Sequence, residues 1–273
     1  MIAAMAARGF AALLLLVATG CAPVREPPIA TLYEGKAIVT GTDERSRPRG
    51  IAEAFEDVLV KLSGDPRLHG DPRVAAAAAQ AGALVTEIAY RDRMEGFPIH
   101  DEQGTRDRPY DMTVRFDPAR VDAALRALGR APWLAPRPRL GVVLAVQIGA
   151  TRYVLADAGE RGFDQRNALL DAAARRGMPI ALPSPATLTA AQLRADDMPA
   201  AELARLDALA RGFGADRALA GRMVWNVEAL AWRADWRLTV DGVERRWQAR
   251  EATFDEAFRS AIGIAAQILS GNG

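Results

Sequence analysis

Few residues of this chain are of the types that do chemistry, and their spacing restricts them further. His69 and His100 are the only histidines and Cys21 is the only cysteine. A zinc centre needs clustered Cys and His ligands, and none can be assembled from these three. Neither histidine has the spaced partner of a metalloprotease helix, and both fall in polar stretches that read as solvated loops. Ser63-Gly64-Asp65 with His69 contains nucleophile, acid and base types, but a triad depends on geometry and these residues straddle a helix end. Gly64 is explained as the helix stop. There is no Gly-x-Ser-x-Gly elbow. Gly212 and Gly214 form a fragment of a dinucleotide fingerprint, yet they follow a helix and lead into a strand, the reverse of the order that phosphate binding requires. Glu53, Glu56 and Asp57, with Asp196, Asp197 and Glu202, are acid types that read as exposed helix or loop charge. No catalytic residue, metal site or cofactor is expected from these patterns.

Composition narrows the classes. The formal net charge of +1 argues against a nucleic-acid binder, which needs a basic excess or a basic face. Half the chain is apolar and a quarter charged, enough to bury a sizeable core. The basic residues are almost all arginine. Lysine occurs only at Lys36 and Lys61, a bias that reads as compositional.

The elements that would position any site can be read from periodicity. Thr31 to Thr40 alternates as a strand with Tyr33, Ala37 and Val39 on one face. Ile51, Phe55, Val58, Leu59 and Leu62 recur at helical spacing, stopped by Gly64. Asp71-Pro72 and Asp117-Pro118 each place a cap before a first-turn proline and open further helices. Strands are expected at 84–93 and 110–116, bracketing a long charged loop at Met94 to Pro109, a length that goes with function or mobility. Ala131 to Pro138 carries three prolines and reads as a semi-rigid linker, with Trp133 pinning two domains together. Beyond it Leu140 to Val146 is almost wholly apolar, as in a strand covered on both faces, and α/β alternation follows. Trp232, Ala234, Trp236, Leu238 and Val240 alternate with polar residues, and Asp241-Gly242 predicts a two-residue hairpin that opposes Trp236 to Trp247. Of the five tryptophans, Trp225, Trp232, Trp236 and Trp247 lie in this sheet and read as core rather than as a binding platform. Thr253 and Glu256 have capping-box spacing before the last amphipathic helix. The expected fold is an α+β amino-terminal domain (31–130), the linker (131–138) and an α/β three-layer domain (139–273) with a mixed sheet and a carboxy-terminal antiparallel hairpin.

Ahead of these elements, Arg8 and the apolar run Phe10 to Val17 have the proportions of a signal peptide, too short to span a membrane. Ala18-Thr19-Gly20-Cys21 resembles the bacterial lipobox, which implies lipidation at Cys21 after removal of residues 1–20, with 21–30 as a proline-containing tether. The alternative is an ordinary secretory cleavage near the same place. Ala22 in place of Asp implies the outer membrane.

Several stretches carry a further resemblance: LVKLSGD at Leu59 to Asp65, VRFDP at Val114 to Pro118, RPRL at Arg137 to Leu140, AARRGMP at Ala173 to Pro179, and Gly214-Ala215-Asp216 with Gly221-Arg222. Together they resemble a bacterial envelope family catalogued as domain of unknown function 2066, which brings no known catalytic residue. The second half, with ADRALAG at Ala215 to Gly221, resembles the α/β modules of outer-membrane assembly lipoproteins. Those include the curli secretion lipoprotein, activators of penicillin-binding proteins and the amino-terminal domain of the Tol-system propeller protein. The resemblance implies a non-enzymatic accessory that binds an envelope protein partner from the periplasmic side of the outer membrane. The alternatives are a periplasmic enzyme without a recognisable motif, or a soluble periplasmic binder of a glycan or small molecule.

Overall fold

A computed structural model describes residues 29–97, 100–101, 104–105 and 108–272. Cys21, the signal segment 1–20 and most of the tether lie outside the described residues, and for His100 only the backbone is described.

The first half is an α+β unit. A single helical turn, α1 (Ile29–Leu32), precedes β1 (Glu34–Thr40), so the strand begins later than the alternation from Thr31 predicts. The turn is held by a tertiary contact: the carbonyls of Thr31 and Glu34 both accept from the ammonium of Lys61, about thirty residues further along the chain. α2 (Arg47–Ser63) buries Ile51, Phe55, Val58, Leu59 and Leu62 and ends at Gly64 in the left-handed region (φ 72°). α3 (Pro72–Ala78) and α4 (Pro118–Ala127) start as expected, with the Asp71 and Asp117 carboxylates accepting from backbone N–H groups of their first turns. β2 (Val85–Asp92) and β5 (Pro109–Phe116) complete an antiparallel sheet of order β1-β5-β2. The helices cover one face, where Met112, Val114 and Phe116 meet Phe55, Leu59 and Val121. On the other face Ile38 is 57% exposed.

Between β2 and β5 the expected long loop contains a short ladder of β3 (His100–Asp101) with β4 (Gly104–Thr105). Arg108 is buried at its base. Its guanidinium donates to the carbonyls of Met94 and Phe97 and lies 2.8 Å from Asp92, so the stem is tied even though the segment is long.

The second half is a three-layer α/β unit. β6 (Leu140–Ile148) is buried continuously from Leu140 to Val146, the signature of a strand with helices on both faces. β7 (Thr151–Val154) pairs with it antiparallel; α5 (Phe163–Arg175) leads to the short parallel strand β8 (Ile180–Ala181). α6 (Pro185–Ala190) is an element that proline punctuation alone conceals. Ser184 caps it, with Pro185 in the first turn where no N–H is needed. α7 (Leu203–Gly212) precedes β9 (Arg217–Asn226), parallel to β6, and then β10 (Ala231–Val240), β11 (Val243–Glu251) and α8 (Phe254–Ser270) close the chain. The sheet order is β11-β10-β9-β6-β7, with β8 also on β6. α5 and α8 pack on one face, and α7 with the 193–201 segment packs on the other.

The hairpin has the predicted register. Asp241 (φ 51°) and Gly242 (φ 76°) turn the chain, and Val240 opposes Val243, Leu238 opposes Arg245, and Trp236 opposes Trp247. Trp236 is 1% exposed and lies so close over Gly221 that a Cβ there would sit 2.4 Å from its ring. Trp225 and Trp232 pack with centroids 5.5 Å apart and planes tilted by 58°, and Trp232 meets Phe254 edge-on. These rings are core packing. The Thr253–Glu256 capping box is formed at the head of α8.

Candidate functional site

The two cores meet along a polar seam, which the stretch 131–138 crosses with Trp133 and Arg137 buried and Leu134, Ala135 and Pro136 exposed. The Trp133 side chain packs into the second core while its N–H donates to the Leu62 carbonyl at 2.6 Å. Four residues on, the Arg137 guanidinium stacks 4.4 Å over the Trp133 ring. It donates to the carbonyls of Arg176 (2.5 Å) and Gly177 (3.4 Å) just past the end of α5, to that of Lys61 (2.7 Å) in the last turn of α2, and to that of Trp133 (3.4 Å). No carboxylate takes part. A buried cation is stabilised here by the negative ends of two helices, one from each half. Burial pushes its pKa down to about 10.

Asp57 lies beside this clasp. It is a middle-of-helix acid that sequence spacing assigns to an exposed face, and the structure corrects that reading: Asp57 is 3% exposed. Docking of α5 buries it, with Arg175 Nε at 2.7 Å and Arg176 Nη1 at 3.4 Å. Arg176 Nη2 also lies 3.1 Å from His69 Nε2. A guanidinium only donates, so that nitrogen accepts and His69 carries its proton on Nδ1. Desolvation first, and then the Arg176 charge, lower the His69 pKa and favour the neutral ring.

Below, the fully buried Asp65 carboxylate accepts from Arg67, Arg130 Nε (2.8 Å) and Gln267 Nε2 (3.3 Å). Burial by itself raises its pKa, but the Arg67 and Arg130 hydrogen bonds outweigh it and hold the carboxyl below the usual range. Asn272 donates to the Ser63 carbonyl at 2.6 Å, fastening the tail behind α8 onto the end of α2. Ser63 Oγ itself donates back to the Leu59 carbonyl at 2.8 Å. His69 faces Asp57 and Arg176, so Ser63, Asp65 and His69 do not form a triad.

The other chemistry-bearing residues are scattered. Glu53 is exposed, and Glu56 lies 3.9 Å from His69 Nδ1. Asp196 pairs with Arg152 at 3.1 Å, Asp197 accepts from the Arg194 N–H, and Glu202 stands exposed before α7. Gly212 and Gly214 close α7, and the Gly214 carbonyl accepts from Arg139. Among the described residues no group of three or more His, Cys, Asp or Glu side chains is placed to hold a metal, and no helix is long and apolar enough to cross a membrane.

What the fold does create is a groove of about 870 Å³ that runs from α5 past β1 onto the open sheet face at Asp111 and Thr113 of β5 and Ala89 and Arg91 of β2. Among the described residues β1 pairs only with β5, and its outer edge opens into this groove. A second depression of about 540 Å³ continues along the same edge past Ile38 to Thr40. The walls are charged: Glu53, Asp57 and Lys61 come from α2, and Asp171 and Arg175 from α5. Lys61 donates to the Thr31 and Glu34 carbonyls, and burial pushes its pKa down to about 8. No sequence motif spans this site, because its residues come from elements far apart in the chain. One signal was available: the only two lysines, Lys36 and Lys61, both line it.

Residues 28–134 match the model of a family described as a domain of unknown function (DUF8605). The matched segment comprises the α+β half and ends one residue after Trp133. It is a different family from domain of unknown function 2066. No curated protein and no solved structure matches the chain.

Proposed function

We propose that this protein is a non-enzymatic bacterial envelope lipoprotein, held by Cys21 on the periplasmic side of the outer membrane, that acts as an accessory or assembly factor by binding a protein partner. The observation that carries the binding half of this reading is the unpaired edge of β1 lying along the open groove between the two halves. An exposed edge offers main-chain hydrogen bonds to an extended peptide, and alternate side chains of that peptide would face the α2 wall and the open sheet face. The mixed charges of Lys36, Glu53, Asp171 and Arg175 suit a polar rather than a purely apolar segment. The lipoprotein half rests on the lipobox resemblance at Cys21, and the envelope role on the motif resemblance to domain of unknown function 2066.

The test uses the full chain in cells. A photo-crosslinking amino acid at Lys36 is expected to give a discrete adduct that the same group at Glu228, on the distant β9–β10 turn, does not give. Cys21→Ser is expected to move the protein from the membrane to the soluble fraction. Identical adduct patterns at the two positions would remove the groove as the binding site, and unchanged fractionation would remove the anchor.

A further inference from the structure

Among the described residues the three-stranded sheet ends in β1 and β2, and the six-stranded sheet in β11 on one side and in β7 and β8 on the other. β2 carries a bulge between Val85 and Glu87, β7 and β8 have four and two residues, and β1 is the edge assigned above to a peptide partner. β11 differs: nine residues pair with β10 without a register break, and its outer side has no partner strand among the described residues. A long regular edge is a template for another strand.

We infer that β11 pairs antiparallel with β11 of a second copy, about a two-fold axis through Trp247, joining the two six-stranded sheets. The strand VERRWQARE is complementary to itself in that register. Two-fold symmetry about an axis perpendicular to the sheet keeps faces aligned, so Glu244 opposes Arg250 of the second copy, and the pair occurs twice. On the same face Arg246 opposes Gln248. On the other face Val243 opposes Glu251, Arg245 opposes Ala249, and the two Trp247 rings meet beside α8. No like charges are opposed. A symmetric register centred on Arg246 sets that guanidinium against its own copy, and one centred on Gln248 sets Arg246 against Arg250. Opposite charges directly across strands stabilise and like charges destabilise, so the register centred on Trp247 is favoured as the symmetric one that combines two Glu–Arg pairs with no like-charge pair.

The single chain leaves these groups available. Arg245 and Arg250 have no carboxylate partner among the described residues, and Glu244 meets Arg246 at 2.8 Å and Arg237 at 4.0 Å through Oε1 alone, which leaves Oε2 for a further guanidinium. That oxygen can accept from it without giving up either contact. Val243, half exposed, lies at the end of the same edge. The inference does not depend on lipidation or on the groove.

Sedimentation velocity on the full chain carrying Cys21→Ser tests it. The expected result is a concentration-dependent dimer. Glu244→Arg and Arg250→Glu should each weaken it by about tenfold or more, equivalent to about 1.4 kcal/mol, and the two combined should restore it. A mixture of Arg246→Cys chains with Gln248→Cys chains should form a disulfide-linked dimer that neither forms alone. A protein that stays monomeric up to its solubility limit, a dimer indifferent to both charge reversals, or equal cross-linking by either cysteine variant alone would overturn the proposal. Circular dichroism of each variant separates loss of pairing from loss of folding.

Discussion

Lys61 shows how one buried charge shapes the first half of the molecule. Its ammonium closes the α1 turn against two carbonyls, and burial depresses its pKa from the ordinary 10.5 to about 8. Below pH 8 the group is protonated in both folded and unfolded states, so the cost of burying the charge is fully present. Between pH 8 and 10.5 the unfolded chain binds more protons, and stability rises with pH. Tyr33 works in the opposite sense. Desolvation and its bond to Asp122 push the phenol up to about 12, so above pH 10 the unfolded state ionises first and stability falls. The urea midpoint is therefore expected to climb from pH 8 to about 10 and to level off above it, where the Tyr33 loss is offset by the depressed pKa of Arg137. In Lys61→Met the climb should be absent, and a climb that persists would assign it to another group.

At the scale of elements, local grammar carries through into packing. Asp241-Gly242 sets the register, the register puts Trp236 and Trp247 on one face, and Gly221 leaves room for the Trp236 ring on the neighbouring strand. Trp236 is fully buried and cannot swing away. Gly221→Val is expected to destabilise the protein by about 1–3 kcal/mol, the usual cost of overpacking a filled core, measured by urea unfolding with tryptophan fluorescence. An unchanged midpoint would show that the ring relocates freely and that the close approach is incidental. The cap-and-proline starts of α3 and α4 and the Thr253 box of α8 form as their sequences predict, because each depends on residues only two or three positions apart.

For the whole molecule, the seam makes the two cores one mechanical unit. Arg137 joins the ends of α2 and α5, Asp57 joins α2 to α5, and Asp65 with Asn272 joins α2 to the region of α8. All five tryptophans lie in the second half or its linker, so their fluorescence follows that half, whereas far-ultraviolet circular dichroism follows both. The two signals are expected to coincide in the native protein. Arg137→Met leaves helix-end carbonyls buried without donors. It should cost on the order of 3 kcal/mol and separate the two transitions. Coincident transitions in that variant would place the coupling elsewhere along the seam.

The sequence by itself determined what nearest-neighbour physics controls: the helix periods, the caps, the strand alternation around Trp236, and the hairpin register. Tertiary structure alone decided what depends on distant segments meeting. Asp57 has the spacing of a surface acid and is buried because α5, more than a hundred residues away, brings two arginines to it. Ala131 to Pro138 has the composition of a spacer and is anchored at two points because Trp133 and Arg137 each find partners in both halves. The groove beside β1 has no motif, for its walls come from α2 and α5 and its floor from a strand edge that exists only once the sheet order is set. Hydrophobic period and turn chemistry act over a few residues; the burial of a charge is settled by whatever packs against it.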